Sequence, residues 1–111
     1  MKSAPSAGDV IHLNFDPQSG IEIQKYRPAL VISNSSFNQK TGLVMVCPIT
    51  STQRNFPLHI NLDARTKTHG DILCEQLKSL DYNACDWKFI ECVPEDIFDH
   101  VLFILDKIIG K

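Results

Sequence analysis

Among the chemistry-bearing residues of this 111-residue chain, a carboxylate, a guanidinium and a hydroxyl pair stand out by type and position. Glu22 precedes Arg27 by five positions in one loop-like stretch, and Thr50-Ser51 follows an apolar run. A guanidinium is always charged and offers a planar fork of donors to phosphate oxygens. A hydroxyl at a strand's end can donate to the same oxygens. A carboxylate withdrawn from water can rise from about 4.3 toward neutrality and so accept a proton. Each residue also has a plain structural use. Arg27 reads equally as a surface cation beside the strand-initiating Pro28, Glu22 as a loop carboxylate that orients Arg27, and Thr50 as a turn cap. Residue type alone does not choose between these uses.

Other chemistries lack their signatures. There is no Gly-x-Ser-x-Gly, no His-x-x-x-His pair and no phosphate-cradling glycine loop. His59, His69 and His100 are scattered without catalytic or metal-like spacing. Cys47, Cys74, Cys85 and Cys92 include no C-x-x-C pair and lie in or beside apolar segments, so they read as reduced, mostly buried thiols. No metal site and no cofactor are expected.

The elements that must position these residues follow from the hydrophobic pattern. Asp9 to Asp16 alternates, with Ile11, Leu13 and Phe15 inward and Val10, His12, Asn14 and Asp16 outward, as a half-buried strand requires. Pro17 to Tyr26 has no sustained period and reads as a long loop of the kind that carries function. Pro28 to Ser33 and Leu43 to Ile49 are β-branched apolar runs of strand length, separated by a polar turn or single helical turn over Asn34 to Gly42. Leu58 to Leu62 gives a fourth strand, and Asp71 to Leu80 a weaker fifth. From Ile97 the spacing changes to three and four, through Val101, Ile104, Leu105, Ile108 and Ile109, which predicts a C-terminal helix opened at Pro94 and closed by Gly110. Leu102 and Phe103 widen its apolar face beyond one stripe, as burial against another chain or a broad core contact would require. The expectation is a mainly β fold: a small, mostly antiparallel β-barrel or curled sheet plus a terminal helix, over residues 8–111 as one domain, with residues 1–7 a flexible leader.

Composition sets outer limits. With 43% hydrophobic and 22% charged residues the chain is far from a disordered make-up. No stretch of about 18 apolar residues and no signal-peptide core appears, so a cytoplasmic location with no membrane partner is expected. The net charge of −2 argues against a broad polyanion-binding face, but residues 1–60 hold five Lys/Arg against three Asp/Glu, and residues 61–111 six against ten. A site for an anionic polymer would use the first half and a few placed cations.

Several stretches resemble the MazF/PemK toxins: Gly8-Asp9-Val10, Gly20-Ile21-Glu22, Arg27-Pro28-Ala29-Leu30-Val31, Pro48-Ile49-Thr50-Ser51, Glu75-Gln76-Leu77-Lys78-Ser79-Leu80 and Val93-Pro94-Glu95. They come in that family's order and spacing from Gly8 to Gly110. The resemblance implies an SH3-like barrel that homodimerises, a cognate antitoxin that occludes the site, and metal-free, sequence-selective cleavage of single-stranded RNA to 2′,3′-cyclic phosphate and 5′-hydroxyl ends. It implies catalytic roles for Arg27 on the phosphate charge, for Glu22 as base or orienter of Arg27, and for Thr50 as a donor. Ser51, Lys25, Gln53 and Arg54 are then candidates for phosphate or base-edge contacts, and Tyr26, Phe37 and Phe56 for stacking at ~1–3 kcal/mol per base. His12 could titrate or stack, and Glu75 matches the family's fifth-strand acid. Some PemK-type members carry a histidine before the loop glutamate and an arginine two residues before that acid, where this chain has Ile21 and Leu73. The site is therefore expected nearer the MazF type. Two other readings share the fold: a toxin of the CcdB group that inhibits DNA gyrase, although such toxins end Trp-Gly-Ile and this chain ends Ile108-Ile109-Gly110-Lys111, and a catalytically silent binding module.

Overall fold

The computed structural model describes residues 3–14, 26–52 and 56–110. In chain order the elements are β1 (Asp9–Asn14), β2 (Tyr26–Val31), α1 (Ser35–Thr41), β3 (Leu43–Thr50), β4 (His59–Asn61), β5 (Asp71–Leu73), a 3-10 turn (Cys74–Gln76), β6 (Lys78–Asp81), β7 (Trp87–Cys92) and α2 (Glu95–Ile109). All strand pairs are antiparallel, in the order β4-β5-β3-β2-β1-β7, with β6 sharing the β5 side of β3. The expected mainly β fold with a C-terminal helix is present. The path of pairings runs from β4 to β7 without closing into a complete barrel.

The sheet buries side chains on both faces. Val10, Leu30, Cys47, Ile49, Ile60 and Ile72 pack with Ile97, Val101 and Leu105 of α2, while Ile11, Leu13, Ala29, Val31, Val44 and Val46 form a second core with Tyr82. Val10 pairs with Leu30 and Ile11 with Ala29, so successive residues of β1 feed alternate cores. This corrects the outward placement of Val10, which is fully buried, and of Asn14, which is 8% exposed. The polar residues His12 and Asn14 disguise a strand covered on both sides.

Three further differences have local causes. The fifth strand is broken, because the 3-10 turn at Cys74–Gln76 interrupts it between β5 and β6. The turn between the second and third strands is a two-turn helix, α1, capped by Asn34, whose side chain accepts from the Phe37 amide at 2.8 Å. β7 was not anticipated. Its ladder to β1 jumps from Val10↔Glu91 to Ile11↔Phe89, which leaves Ile90 as an extra residue and shifts the alternation by one. The part of the leader that is described is docked: Ala4 is buried, and the Pro5 carbonyl accepts from the buried Asn38 side chain at 2.8 Å.

The C-terminal helix follows its sequence signals, with Pro94 before its first turn, Glu95 and Asp96 in that turn, and Gly110 in the left-handed conformation at its end. Leu102, Phe103, Ile108 and Ile109 stay exposed on the single chain. Cys47, Cys74 and Cys85 are buried free thiols, whereas Cys92 is exposed.

Candidate active site

Arg27 and Thr50 are brought together. Arg27 sits near the start of β2, opposite Leu13 of β1, and is exposed. Thr50 ends β3, paired with Asp71 of β5. Both line a cleft of about 320 Å³ with Pro48, Ile49, Leu73, Gln76 and Lys78. Antiparallel pairing of β2 with β3, through Ala29 and Pro48, carries the start of β2 to the end of β3. The break after β5 then brings Leu73, Gln76 and Lys78 to the same wall.

The cleft gathers two cationic side chains and a hydroxyl. Two cationic side chains, Arg27 and Lys78, reach it from different strands. Among the described residues no carboxylate pairs with Arg27, whose guanidinium carries a planar fork of donors. The Thr50 hydroxyl accepts from the Thr52 amide at 3.3 Å, the turn-capping arrangement. Gly70 closes this corner: its φ is +123°, and the Thr50 carbonyl occupies the space a side chain would need.

The remaining expected residues lie elsewhere or are otherwise engaged. Glu22, Lys25, Gln53 and Arg54 fall outside the described residues. Ser51 is exposed beside Thr50 but does not line the cleft. Tyr26 is tied by its hydroxyl, which donates to Asp86 Oδ2 at 2.6 Å. His12 is half-buried in mid β1, between Pro28 and Lys88. Phe37 lines a separate apolar groove of about 350 Å³ with Ile32, Met45, Phe98 and Leu102. Phe56 is exposed and meets His59 edge-on, with ring centroids 4.9 Å apart.

Glu75 has a partner that the sequence did not suggest: His59 Nε2 lies 3.0 Å from its Oε2. His59 pairs in register with Leu73, so a cross-strand neighbour meets the acid that has no arginine two positions earlier. Gln76 and Lys78 also line the cleft, which the sequence did not suggest. Their signal lay in the Glu75-to-Leu80 motif, but a continuous strand through it hides which of its side chains share a wall. Burial pushes the Cys47 thiol up to about 12, with Cys74 and Glu75 adding to the effect, so Cys47 is no nucleophile. Among the described residues no group of three His, Cys, Asp or Glu side chains is arranged to hold a metal.

Residues 6–109 match the family model of the PemK-like, MazF-like toxins of type II toxin-antitoxin systems. The chain belongs to the PemK/MazF toxin family. It is 34% identical over 112 residues to the endoribonuclease PemK of Escherichia coli, covering 97% of this chain and 84% of that one. The fold matches the crystal structure of MazF from Deinococcus radiodurans with a TM-score of 0.88 at 34% identity, over 99% of this chain and 100% of that one. It matches the MazE-MazF structure from the same organism with a TM-score of 0.87 at 30% identity, over 98% of each chain. Within this PemK/MazF frame, the residues of the resemblance divide by position: Arg27 and Thr50 share the cleft with Gln76 and Lys78, while Glu75 stands beside them with its carboxylate on His59.

Proposed function

We propose that this PemK/MazF family member is an endoribonuclease toxin that cleaves single-stranded RNA in the Arg27–Thr50 cleft without a metal ion. The observation that carries the reading is the meeting of a permanent cation, a second cation and a hydroxyl donor, from β2, β6 and β3, in one cleft. In the reaction the 2′-hydroxyl gives up its proton and its oxygen attacks the phosphorus. The bond to the 5′-oxygen then breaks, leaving a 2′,3′-cyclic phosphate and a 5′-hydroxyl once that oxygen takes up a proton. Arg27 and Lys78 balance the charge that grows on the phosphate oxygens, the role in which fixed donors contribute most. Thr50 donates to one of those oxygens. Glu22 is the base or the orienter of Arg27.

The relatives support the reading, since the PemK match is itself named an endoribonuclease and one structural match is a MazE-MazF pair. A cognate antitoxin that covers the cleft belongs to the proposal, as do a cytoplasmic site of action and a homodimer that buries the apolar residues exposed on α2.

The test is to incubate the purified protein with a long single-stranded RNA in EDTA and to map the fragment ends. Discrete cuts with 5′-hydroxyl ends are expected. Intact RNA from folded protein would favour the gyrase-inhibiting or silent-module readings, and cutting that EDTA abolishes would remove the metal-free mechanism.

A further inference from the structure

The wall of the cleft that carries Leu73, Gln76 and Lys78 is made of short pieces. β5 has three residues and the 3-10 turn three more, and no side chain caps that turn. Its backbone restraints are long ones: the Cys74 amide reaches the Leu58 carbonyl at 3.3 Å, and the Leu77 amide the Cys74 carbonyl at 3.4 Å. The side-chain contact of His59 Nε2 with Glu75 Oε2 is shorter, at 3.0 Å. A bond to a charged acceptor contributes about twice what a neutral one does. It is therefore the strongest of these three hydrogen bonds.

His59 is built to hold that geometry. Its side chain is 9% exposed, with the Phe56 ring against it. A carboxylate only accepts, so Nε2 carries the proton in this contact. On the ring's other side Nδ1 is buried without a hydrogen-bond partner among the described residues, 3.9 Å from Oδ2 of the fully buried Asp71. Asp71 accepts from the Asn61 side chain and is the strand partner of Thr50. One imidazole thus stands between the acid of the turn that bears Gln76 and the acid paired with Thr50.

We infer that His59 is a positioning residue: through Glu75 it fixes the 3-10 turn, and so sets where Gln76 and Lys78 stand relative to Arg27 and Thr50. His59 does not line the cleft and touches no substrate in this role. The consequence for RNA cleavage rests on the proposed function, whereas the placement of the turn does not.

The experiment compares full-length wild type, His59→Ala and His59→Gln by residue-resolved amide hydrogen exchange and by single-turnover RNA cleavage. Glutamine keeps an N–H donor near the position of Nε2, whereas alanine removes it. In His59→Ala the Cys74 and Leu77 amides should exchange about ten- to a hundredfold faster while β2 and β3 keep their protection. Cleavage should fall about tenfold, and His59→Gln should recover most of both losses. Unchanged exchange at Cys74 and Leu77, an equal rise across the whole sheet, or equal damage from alanine and glutamine would overturn the inference. A wild type that cuts no RNA would overturn the proposed function instead, and the exchange rates would still decide the role of His59.

Discussion

Gly70 and Thr50 share a space that admits no side chain, since a β-carbon at position 70 would fall 1.9 Å from the Thr50 carbonyl oxygen and 3.1 Å from the Ser51 Cα. The obstacle is backbone, which cannot rotate away, and the φ of +123° is itself open mainly to glycine. Gly70→Ala should therefore cost about 2 kcal/mol or more and push Thr50 out of the cleft. Chemical denaturation with RNA cleavage on the same samples checks this: both should fall, whereas Gly8→Ala, with open space around it, should lose less.

Tyr26 is held at the start of β2 by its bond to Asp86. That hydrogen bond, with smaller contributions from desolvation and the Asp86 charge, raises the Tyr26 phenol above its ordinary value. A raised value means that the native state holds the proton more tightly. The contribution to stability is then full below about pH 10 and is lost as the pH climbs through the native value. Ultraviolet titration of wild type and Asp86→Ala should show the Tyr26 phenol moving back toward its ordinary value in the variant.

Arg65 clamps the segment after β4 to the first turn of α2, with its guanidinium forked on Asp96 at 2.8 and 3.0 Å and on Asp63 at 2.8 and 3.2 Å. The guanidinium's hydrogen bonds lower Asp63 to about 2 and bring Asp96 below its usual value. Depressed carboxylates contribute above about pH 4, and the contribution fades as the pH falls toward the native value of about 2. Urea midpoints followed down this range should drop less in Arg65→Ala than in wild type. The difference should be small and should shrink with added salt, because these groups are exposed.

The four cysteines should separate into one and three. Burial is the main cause that raises Cys47 to about 12 and Cys74 to about 11, and it raises Cys85 as well, whereas Cys92 is exposed. Alkylation of native protein near pH 8, followed by peptide mapping, should label Cys92 first and the other three only on unfolding.

How much of this was legible in the sequence depended on where the pattern was regular. α2 was plain because Ile97, Val101 and Leu105 keep a spacing of four residues between a proline and a glycine. Arg27 and Thr50 were each singled out because both sit in short motifs at strand ends, and the fold brings them to one cleft. β7 was lost to a single bulged residue, Ile90, and the second buried face of β1 to the polar His12 and Asn14. Lys78 and Gln76 were missed because a one-turn 3-10 segment re-aims side chains without leaving a period. His59 looked idle because its partner Glu75 is remote in sequence and meets it only through the β4–β5 pairing.

Whether Arg27 holds the reacting phosphate is decided by single-turnover cleavage of a long RNA in EDTA by wild type and Arg27→Ala. Arg27 is exposed, so the variant should keep its folded stability to within about 0.5 kcal/mol. Its rate should fall about a hundredfold or more, the cost of removing a charge-stabilising donor, with Arg27→Lys recovering only part because it lacks the planar fork. Cleavage by Arg27→Ala at the wild-type rate and at the same sites would contradict the account and move the active site out of this cleft.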